Sequence, residues 1–388
     1  MMKWLWNSGL LFWIALYLSV STVSVQAETV AELSPLLVGV MNGLFGGALL
    51  LARIPIGIIS GKMLHQKPLL FFGLFLIALG NAIVPLVPHP ATLLISRFIL
   101  GAGAGFWIVY SILYVNHHRK DELPKAMAQI TLTYGMGITI GGIAGGILAE
   151  YWGWHAPFWA GLAVALISMA VLLPEQEKVV FSYSFHRELL LAKLKNTRLI
   201  LVSFLAALLF FLGTSTVWGF TTNFAFQEFG ATPLQLGIIA LAMLGPYALG
   251  IRFSYVPRNK FGVKNIVAGG LGMAGAATLL IPLSGSILGL SLLHVVVGAG
   301  LGIVFSTLMS LSVEDLPIEH RNEAMGIFQT IYAAGFLLGP FISGVISENF
   351  GISYIFLANG GLTLLAVLLL IATPLGSVLA KTSQSKEP

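Results

Sequence analysis

The sequence predicts an all-α membrane protein that folds as twelve transmembrane helices in two pseudo-symmetric six-helix bundles. Composition is the first observation behind this prediction. Of 388 residues, 57% are hydrophobic and 9% are charged, which leaves too little polar surface for a water-soluble protein of this size. The second observation is the length of the apolar runs, and the third is the similarity between the two halves of the chain.

Apolar runs of about 20 residues recur along the whole chain, and each is long enough to cross the hydrocarbon core of a bilayer as an α-helix. Helices are expected because lipid offers no partners for backbone hydrogen bonds. The twelve predicted spans are residues 5–27, 35–60, 68–88, 91–115, 126–149, 155–174, 199–222, 234–256, 265–284, 287–312, 324–347 and 353–375.

The two halves of the chain repeat each other at an offset of about 198 residues. RFILGAGAG, which begins at Arg97, corresponds to HVVVGAGLG from His294, and SPLLVG at 34–39 corresponds to TPLQLG at 232–237. Single matches in register are Tyr134, Gly137, Gly141, Glu150 and Gly153 with Tyr332, Gly335, Gly339, Glu348 and Gly351. An even number of spans in each unit makes the repeats parallel, which is one of the arrangements found in secondary transporters.

Positive charge predicts the orientation of the chain in the membrane. The Lys and Arg residues that lie outside the spans all fall on one side, and such an excess in short loops marks the cytoplasmic side. We therefore predict an integral plasma (inner) membrane protein with cytoplasmic N- and C-termini. Its predicted parts are an N-terminal bundle over 1–173, a cytoplasmic linker over 174–198 and a C-terminal bundle over 199–388.

The first span shares a lysine, an apolar run and a small-residue end with cleavable signal peptides. We expect it to be retained, because its removal would break the repeat of six spans and six spans.

Several function classes find no support in the sequence. The chain has no Cys, so disulfides, thiol chemistry and Cys-ligated metals are excluded. No phosphate-binding loop of the GxxxxGK[ST] type supports ATP-driven pumping, and no nucleophile or metal-ligand constellation suggests an enzyme. The net charge of +5 reflects the membrane orientation and needs no nucleic-acid partner. We predict no cofactor and no metal.

The loop between the second and third spans carries a family pattern. RIPIGIISGKMLHQKP, from Arg53, resembles the gating-loop motif of the major facilitator superfamily. Gly57 and Lys62 fit this motif, while Gly61 stands where the family usually carries Asp and Leu64 where it usually carries Gly.

The second copy of this loop, RFSYVPRNKFGVKN from Arg252, keeps Lys260 and Gly262 and has Asn259 near the acidic position. Both copies therefore lack the carboxylate that helps to lock one conformation in the family. We expect the cytoplasmic gate to be held differently, or weakly.

Two further motifs lie in spans four and five. LISRFILGAGAGFWIVY contains Arg97 and resembles the family's fourth-span motif, whose arginine is implicated in proton coupling among exporters. TYGMGITIGGIAGG, from Thr133, resembles the fifth-span motif of antiporters, with Gly142 in place of the expected Pro. The resemblance covers essentially the whole chain. It implies a secondary transporter that works by alternating access, closest in style to drug and small-molecule efflux members, and we expect a monomer.

Small residues in the fifth and eleventh spans are candidate conformational pivots. Close packing of small residues does much of the work of helix association in lipid, and successive glycines one turn apart form a flat stripe. The alternative is tight packing without motion, although a proline that bends the matching helix favours motion. The candidate pivots are Gly137, Gly141, Gly145, Gly335, Gly339 and Pro340.

Four ionisable side chains lie within predicted spans, where such groups are costly and usually functional. Arg53 and Arg252 are repeat equivalents and resemble the anion clamps of some superfamily members, because guanidinium binds oxyanions bidentately. They could instead snorkel to the headgroups.

Arg97 and His294 form the second equivalent pair. His294 is the candidate proton carrier, because imidazole titrates near neutral pH, and the alternative is a hydrogen-bonded packing residue. Glu28 and Glu32, beside the outer end of the first span, are rival carriers.

The resemblance implies that spans one, four, seven and ten line the substrate cavity. Polar and aromatic residues in these spans are candidates to contact an organic substrate, or alternatively face lipid or an interfacial aromatic belt. They are Tyr17, Trp107, Tyr110, Trp218 and Asn223.

Three function classes compete on this evidence. The first is export of a small organic molecule in exchange for protons, with the lipid bilayer, the substrate and H+ as partners. The second is anion uptake or exchange through Arg53 and Arg252. The third is a membrane receptor or sensor that transports nothing.

Overall fold

The computed structural model describes residues 3–63, 65–87, 89–116, 123–176, 196–254, 260–314 and 321–380. The first six spans are Lys3–Tyr17 with Val23–Thr29, Pro35–Lys62, Lys67–Leu86, Ala91–Ala104 with Trp107–Asn116, Leu123–Trp152 and Ala156–Leu172. The last six are Thr197–Ser215 with Thr221–Phe229, Pro233–Phe253, Val263–Leu279, Ile287–Leu311, Arg321–Phe350 and Ser353–Ala372. A short helix, Leu375–Ala380, follows the last span. The predicted all-α fold of twelve spans is confirmed.

Length and composition alone make nine of the helices in these ranges candidates to cross a membrane. The first span falls outside this set because it is broken in two. The sixth and ninth spans fall outside it because their helices have 17 residues each, which is at the lower limit for crossing about 30 Å of hydrocarbon.

The repeated strings SPLLVG and TPLQLG begin the second and eighth spans. The Ser34 hydroxyl accepts a hydrogen bond from the Leu37 N–H. The Thr232 hydroxyl accepts one from the Gln235 N–H, and the Gln235 side-chain oxygen accepts one from the Thr232 N–H. Each cap is followed by proline, which suits the first position of a helix. The same local chemistry therefore starts the equivalent helix in both halves.

Three spans are irregular in their middle. The first is interrupted between Tyr17 and Val23, the fourth at 105–106, and the seventh by a π-helical turn, Thr216–Phe220. Irregular backbone at membrane depth is tolerated only where protein or a cavity covers it, and π-turns often mark functional sites. These breaks point to the centre of the molecule as the functional region.

The helices pack in the same way in both halves. The first span packs on the fifth and the seventh on the eleventh, and the second packs on the fourth as the eighth does on the tenth. Between the halves, the second span packs on the eleventh and the fifth on the eighth. The division at the 174–198 linker stays a prediction, since residues 177–195 lie outside the described ranges.

The break in the first span packs directly against Gly145 of the fifth span. The carbonyl oxygen of Leu18 occupies the position that a Cβ at Gly145 would take. We expect Gly145→Ala to lower the unfolding temperature in detergent markedly, because overpacking costs about 1–3 kcal/mol or more. Gly361→Ala is the matched control, since no atom lies within 4 Å of its added Cβ. Equal melting temperatures for the two variants would contradict this account.

Candidate functional site

A small cavity of about 40 Å³ lies between the two halves, with room for a few water molecules. Spans one, two and four of the first half and spans seven and eleven of the second half contribute its walls. The lining residues are Leu16, Tyr17, Val20, Asn42, Phe45, Arg97, Thr214, Phe336 and Pro340. The sequence analysis singled out Tyr17, Arg97 and Pro340 among these residues, but it gave no role to Phe45, Thr214 and Phe336.

Arg97 is the charged residue of this cavity. Its side chain is only 5% exposed, and its Nε and Nη2 atoms have no hydrogen-bond partner among the described residues. Tyr17 lies near enough to interact with the guanidinium. The cavity therefore contains a buried positive charge that is not neutralised within the described protein.

Four tyrosines from both halves meet beside the cavity. Tyr17 and Tyr134 of the first half lie close enough to Tyr247 and Tyr332 of the other half to interact electrostatically. The Tyr332 hydroxyl accepts a hydrogen bond of 3.0 Å from Nη1 of Arg53. A polar layer thus crosses the centre of the molecule from one half to the other.

Aromatic rings pack behind this layer in the first half. The ring centroids of Trp13 lie 4.7 Å from Tyr134 and 5.1 Å from Trp107. Tyr110 packs on Trp107, but its hydroxyl lies 2.7 Å from the Ser8 hydroxyl, inside the bundle. Tyr110 is fully buried in the core of the first half and is absent from the cavity wall described above.

His294 is fully buried between the tenth and seventh spans. Its Nδ1 lies 2.8 Å from the Leu290 carbonyl oxygen, and its Nε2 lies 3.1 Å from the Thr221 hydroxyl. A single neutral tautomer satisfies both contacts, with Nδ1–H as donor and Nε2 as acceptor. Thr221 directly follows the π-turn of the seventh span, so His294 is coupled to that irregular segment.

Arg53 and Arg252 lie in different surroundings. Arg53 is half-buried, and its Cζ atom lies 5.4 Å from the centroid of the Tyr332 ring in the other half. Arg252 is exposed and lies against Phe253. The exposed position of Arg252 suits the snorkelling alternative. The side chain of Trp218 lies outside the described part of the structure.

The candidate pivot glycines of both halves pack within their own bundle. Gly137, Gly141 and Gly145 lie against the first span, and Gly335 and Gly339 lie against the seventh. Pro340 contacts the other half instead, because its carbonyl oxygen lies against Gly39. A pivoting role for these residues stays a prediction.

Other glycines make the close contacts between the halves. A Cβ added at Gly39 would lie 2.5 Å from the Pro340 carbonyl and 2.8 Å from Gly344. A Cβ added at Gly146 would lie 2.7 Å from Gly237. The helix pairs that join the halves are therefore in backbone contact, and sequence reasoning did not assign this role.

The gating-loop residues lie at the far ends of the second and eighth spans, opposite Gly39 and Gly237 at their starts. Gly57 is half-buried near Ile108. Gly262 has a positive φ of 78° and begins the ninth span, and Lys260 is exposed beside Phe261. The side chain of Lys62 lies outside the described part of the chain.

Three carboxylates join the halves at the ends predicted to face outward. Glu150, at the end of the fifth span, accepts a 3.0 Å hydrogen bond from the Leu234 N–H at the start of the eighth. Its repeat equivalent Glu348 accepts a 3.1 Å bond from the Leu36 N–H at the start of the second span.

The third carboxylate, Glu28 of the first span, accepts hydrogen bonds from the side-chain amides of Asn223 and Gln227 in the seventh. Asn223 is thus part of the outer contact between the halves. We call Glu28, Glu150 and Glu348 the outer carboxylates. Two of them cap helix N-termini, where negative charge is favoured.

Two lysines at the predicted cytoplasmic ends make contacts within their own half. Lys67 donates to the carbonyls of Leu173 and Glu175 beyond the sixth span, and Lys264 donates to the Ile371 carbonyl of the twelfth. Both lysines lie near helix C-termini, where positive charge is favoured. These two lysine contacts therefore hold together the helices of one half and do not join the halves.

A family model described as Major Facilitator Superfamily matches residues 5–206 and 203–387. The chain belongs to the Major Facilitator Superfamily. It is accordingly a secondary transporter embedded in the lipid bilayer that carries small molecules, and it is not an enzyme. The resemblance inferred from the gating-loop, fourth-span and fifth-span motifs is confirmed.

Relatives and solved structures agree with this membership. The chain is 25% identical to the inner membrane transport protein YajR of Escherichia coli, over 95% of this chain and 82% of that protein. It is 24% identical to the multidrug resistance protein MdtG of Salmonella choleraesuis, over 74% of each chain. An inward-facing structure of a bacterial homologue of the human lysosomal transporter Spinster shares the fold, with a TM-score of 0.80, 14% identity and 98% of each chain covered.

Removal of the helix caps formed by Glu150 and Glu348 should increase access to the cavity from the predicted outer side. The chain has no native Cys, so a single cysteine at Val20, on the cavity wall, reports access from outside. We expect Glu150→Ala with Glu348→Ala to speed its reaction with a membrane-impermeant maleimide roughly three- to thirtyfold, since each helix-terminal charge contributes about 0.3–1 kcal/mol.

Glu228→Ala is the control for this experiment, because Glu228 is an exposed carboxylate near the same end of the seventh span. It should leave the labelling rate unchanged. Equal labelling rates in the double variant and the control would show that the two caps do not hold the halves together.

Proposed function

We propose that this transporter exports a small organic molecule in exchange for protons, by alternating access at the cavity between its halves. The observation that carries the proposal is a cavity lined by both halves, with close contacts between the halves at its predicted outer end. The glycine contacts and the outer carboxylates close one end over a cavity that both halves line. A state closed on one side is what alternating access requires.

The lining of the cavity supports an organic substrate. Phe45 and Phe336 offer apolar surface, while Tyr17, Asn42 and Thr214 offer a few polar groups. Ligand sites for small molecules usually combine these two kinds of surface. The direction of transport is supported by the glycine pattern of the fifth span and by the similarity to MdtG, which is named as a multidrug resistance protein.

Two residues are candidates for the proton-binding step. His294 is an imidazole buried at membrane depth beside the π-turn, and Glu28 is a carboxylate that joins the halves. Protonation of His294 would turn Nε2 from an acceptor into a donor and reverse its bond with Thr221. Protonation of Glu28 would weaken its two bonds to the seventh span. We propose His294 as the carrier.

We further propose that the protein works as a monomer in the inner membrane, with both termini in the cytoplasm. Both halves of a single chain line the cavity, which supports a site formed within one copy.

Everted membrane vesicles with an acidic interior test proton exchange. Addition of a transported probe, drawn from a panel that includes ethidium and 1-naphthoate, should collapse the pH gradient as protons leave the lumen. His294→Asn should abolish the collapse, because asparagine cannot carry the proton. The measurement is the recovery of acridine orange fluorescence.

Glu28→Gln is the comparison for this experiment. Loss of the collapse in Glu28→Gln but not in His294→Asn would assign proton binding to Glu28. Accumulation of the probe without any change in the pH gradient would refute proton exchange.

Anion uptake or exchange through Arg53 and Arg252 is the second candidate function. The contact of Arg53 with Tyr332 across the halves favours it, whereas the exposure of Arg252 does not. We expect Arg252→Ala to keep 1-naphthoate transport within about twofold, as for other surface substitutions. A loss of more than about tenfold, equal to one strong hydrogen bond, would support the paired clamp.

A further inference from the structure

We infer that Arg97 binds the negatively charged head group of a small organic anion in the cavity between the halves. This inference names a substrate class for the proposed export function and rests on it. Its basis is a buried charge on the cavity wall that has no counter-charge among the described residues.

Arg97 lies in a long stretch of sequence that contains no carboxylate. The chain has no Asp or Glu between Glu32 and Asp121, so spans two, three and four contain none. In the first span, Glu28 is the acidic residue nearest in sequence to the cavity-lining residues. Its two carboxylate oxygens accept hydrogen bonds from the side chains of Asn223 and Gln227. A buried charge without a partner is strongly unfavourable. An anion that enters the cavity would relieve this cost.

The free atoms of Arg97 fit a carboxylate. The N–H bonds of Nε and Nη2 lie parallel on one edge of a guanidinium, and these are the two nitrogens without a partner among the described residues. Two parallel donors bind the two oxygens of a carboxylate bidentately. Both nitrogens are fully buried in the conformation described, so an anion reaches this edge only when the halves move apart.

The neighbouring groups in the cavity favour an anion with an apolar body. Tyr17, Asn42 and Thr214 are neutral, and Phe45 and Phe336 supply apolar surface. A cationic substrate would find no carboxylate on the described cavity wall and would face Arg97. In the conformation described, the cavity has a volume of only about 40 Å³, and Nε and Nη2 of Arg97 are buried, so binding of a substrate requires the halves to move apart.

Purified protein in chloride-free buffer tests this site with acetate, benzoate and 1-naphthoate as probes and 1-naphthamide as the neutral control. We expect the carboxylates to raise the melting temperature, with 1-naphthoate binding roughly 10- to 100-fold more tightly than 1-naphthamide, as charged hydrogen bonds imply. Arg97→Met should lose this preference. Arg97→Lys should keep it in part, because it retains the charge without the planar fork.

Several results would overturn the site. They are equal binding of 1-naphthoate and 1-naphthamide by the unmodified protein, no stabilisation by any of the three carboxylates, or an unchanged preference in Arg97→Met. If Arg97→Met fails to fold, the carboxylate–amide comparison and Arg97→Lys still decide. Stabilisation by chloride alone, equal to that by 1-naphthoate, would identify an inorganic counter-ion and refute the substrate assignment.

Transport separates this inference from the proposed function. Proton-coupled export of ethidium that is unaffected by Arg97→Met would refute the anion site and leave export standing. Binding of 1-naphthoate that depends on Arg97, without transport of any probe, would leave the site standing and refute export.

Discussion

Backbone contact between helices at glycine is the constraint on which the rest of this structure depends. Lipid provides no hydrophobic drive to bring two apolar helices together, so close packing must do so. At Gly39 with Gly344, and at Gly146 with Gly237, the two halves approach until there is no room for a Cβ. This short separation also brings Glu150 and Glu348 within reach of the helix that begins in the opposite half.

Because the halves are related by internal symmetry, the contact between them occurs twice. In each half, a carboxylate at the end of one span accepts a hydrogen bond from the helix N-terminus of a span in the other half. The contacts are individually modest because they are exposed to solvent. In the alternating-access motion that we propose, the two equivalent contacts form or break together, and each contributes little enough to leave that motion possible.

The centre of the molecule departs from this symmetry in its electrostatics. Arg97 brings a permanent charge to the cavity, while its repeat equivalent His294 is sealed between two helices with both ring nitrogens engaged. The break in the first span and the π-turn in the seventh place irregular backbone on either side of the same region. The repeated frame thus carries two different central groups, one suited to a ligand and one to a proton.

The membrane class, the twelve spans and the repeat could be predicted from the sequence alone. These follow from composition, run length and local chemistry, all of which act over short stretches of chain. It also identified Tyr17 and Arg97, because a polar group at membrane depth is conspicuous.

Only the tertiary structure decided which helix faces meet. It placed Tyr110 inside a bundle, Asn223 at the outer contact, and Phe45 and Phe336 on the cavity wall. In water, polarity marks the outward face of a helix. In lipid both faces are apolar, so the facing direction is fixed by packing between distant segments and leaves no periodic signal in the sequence.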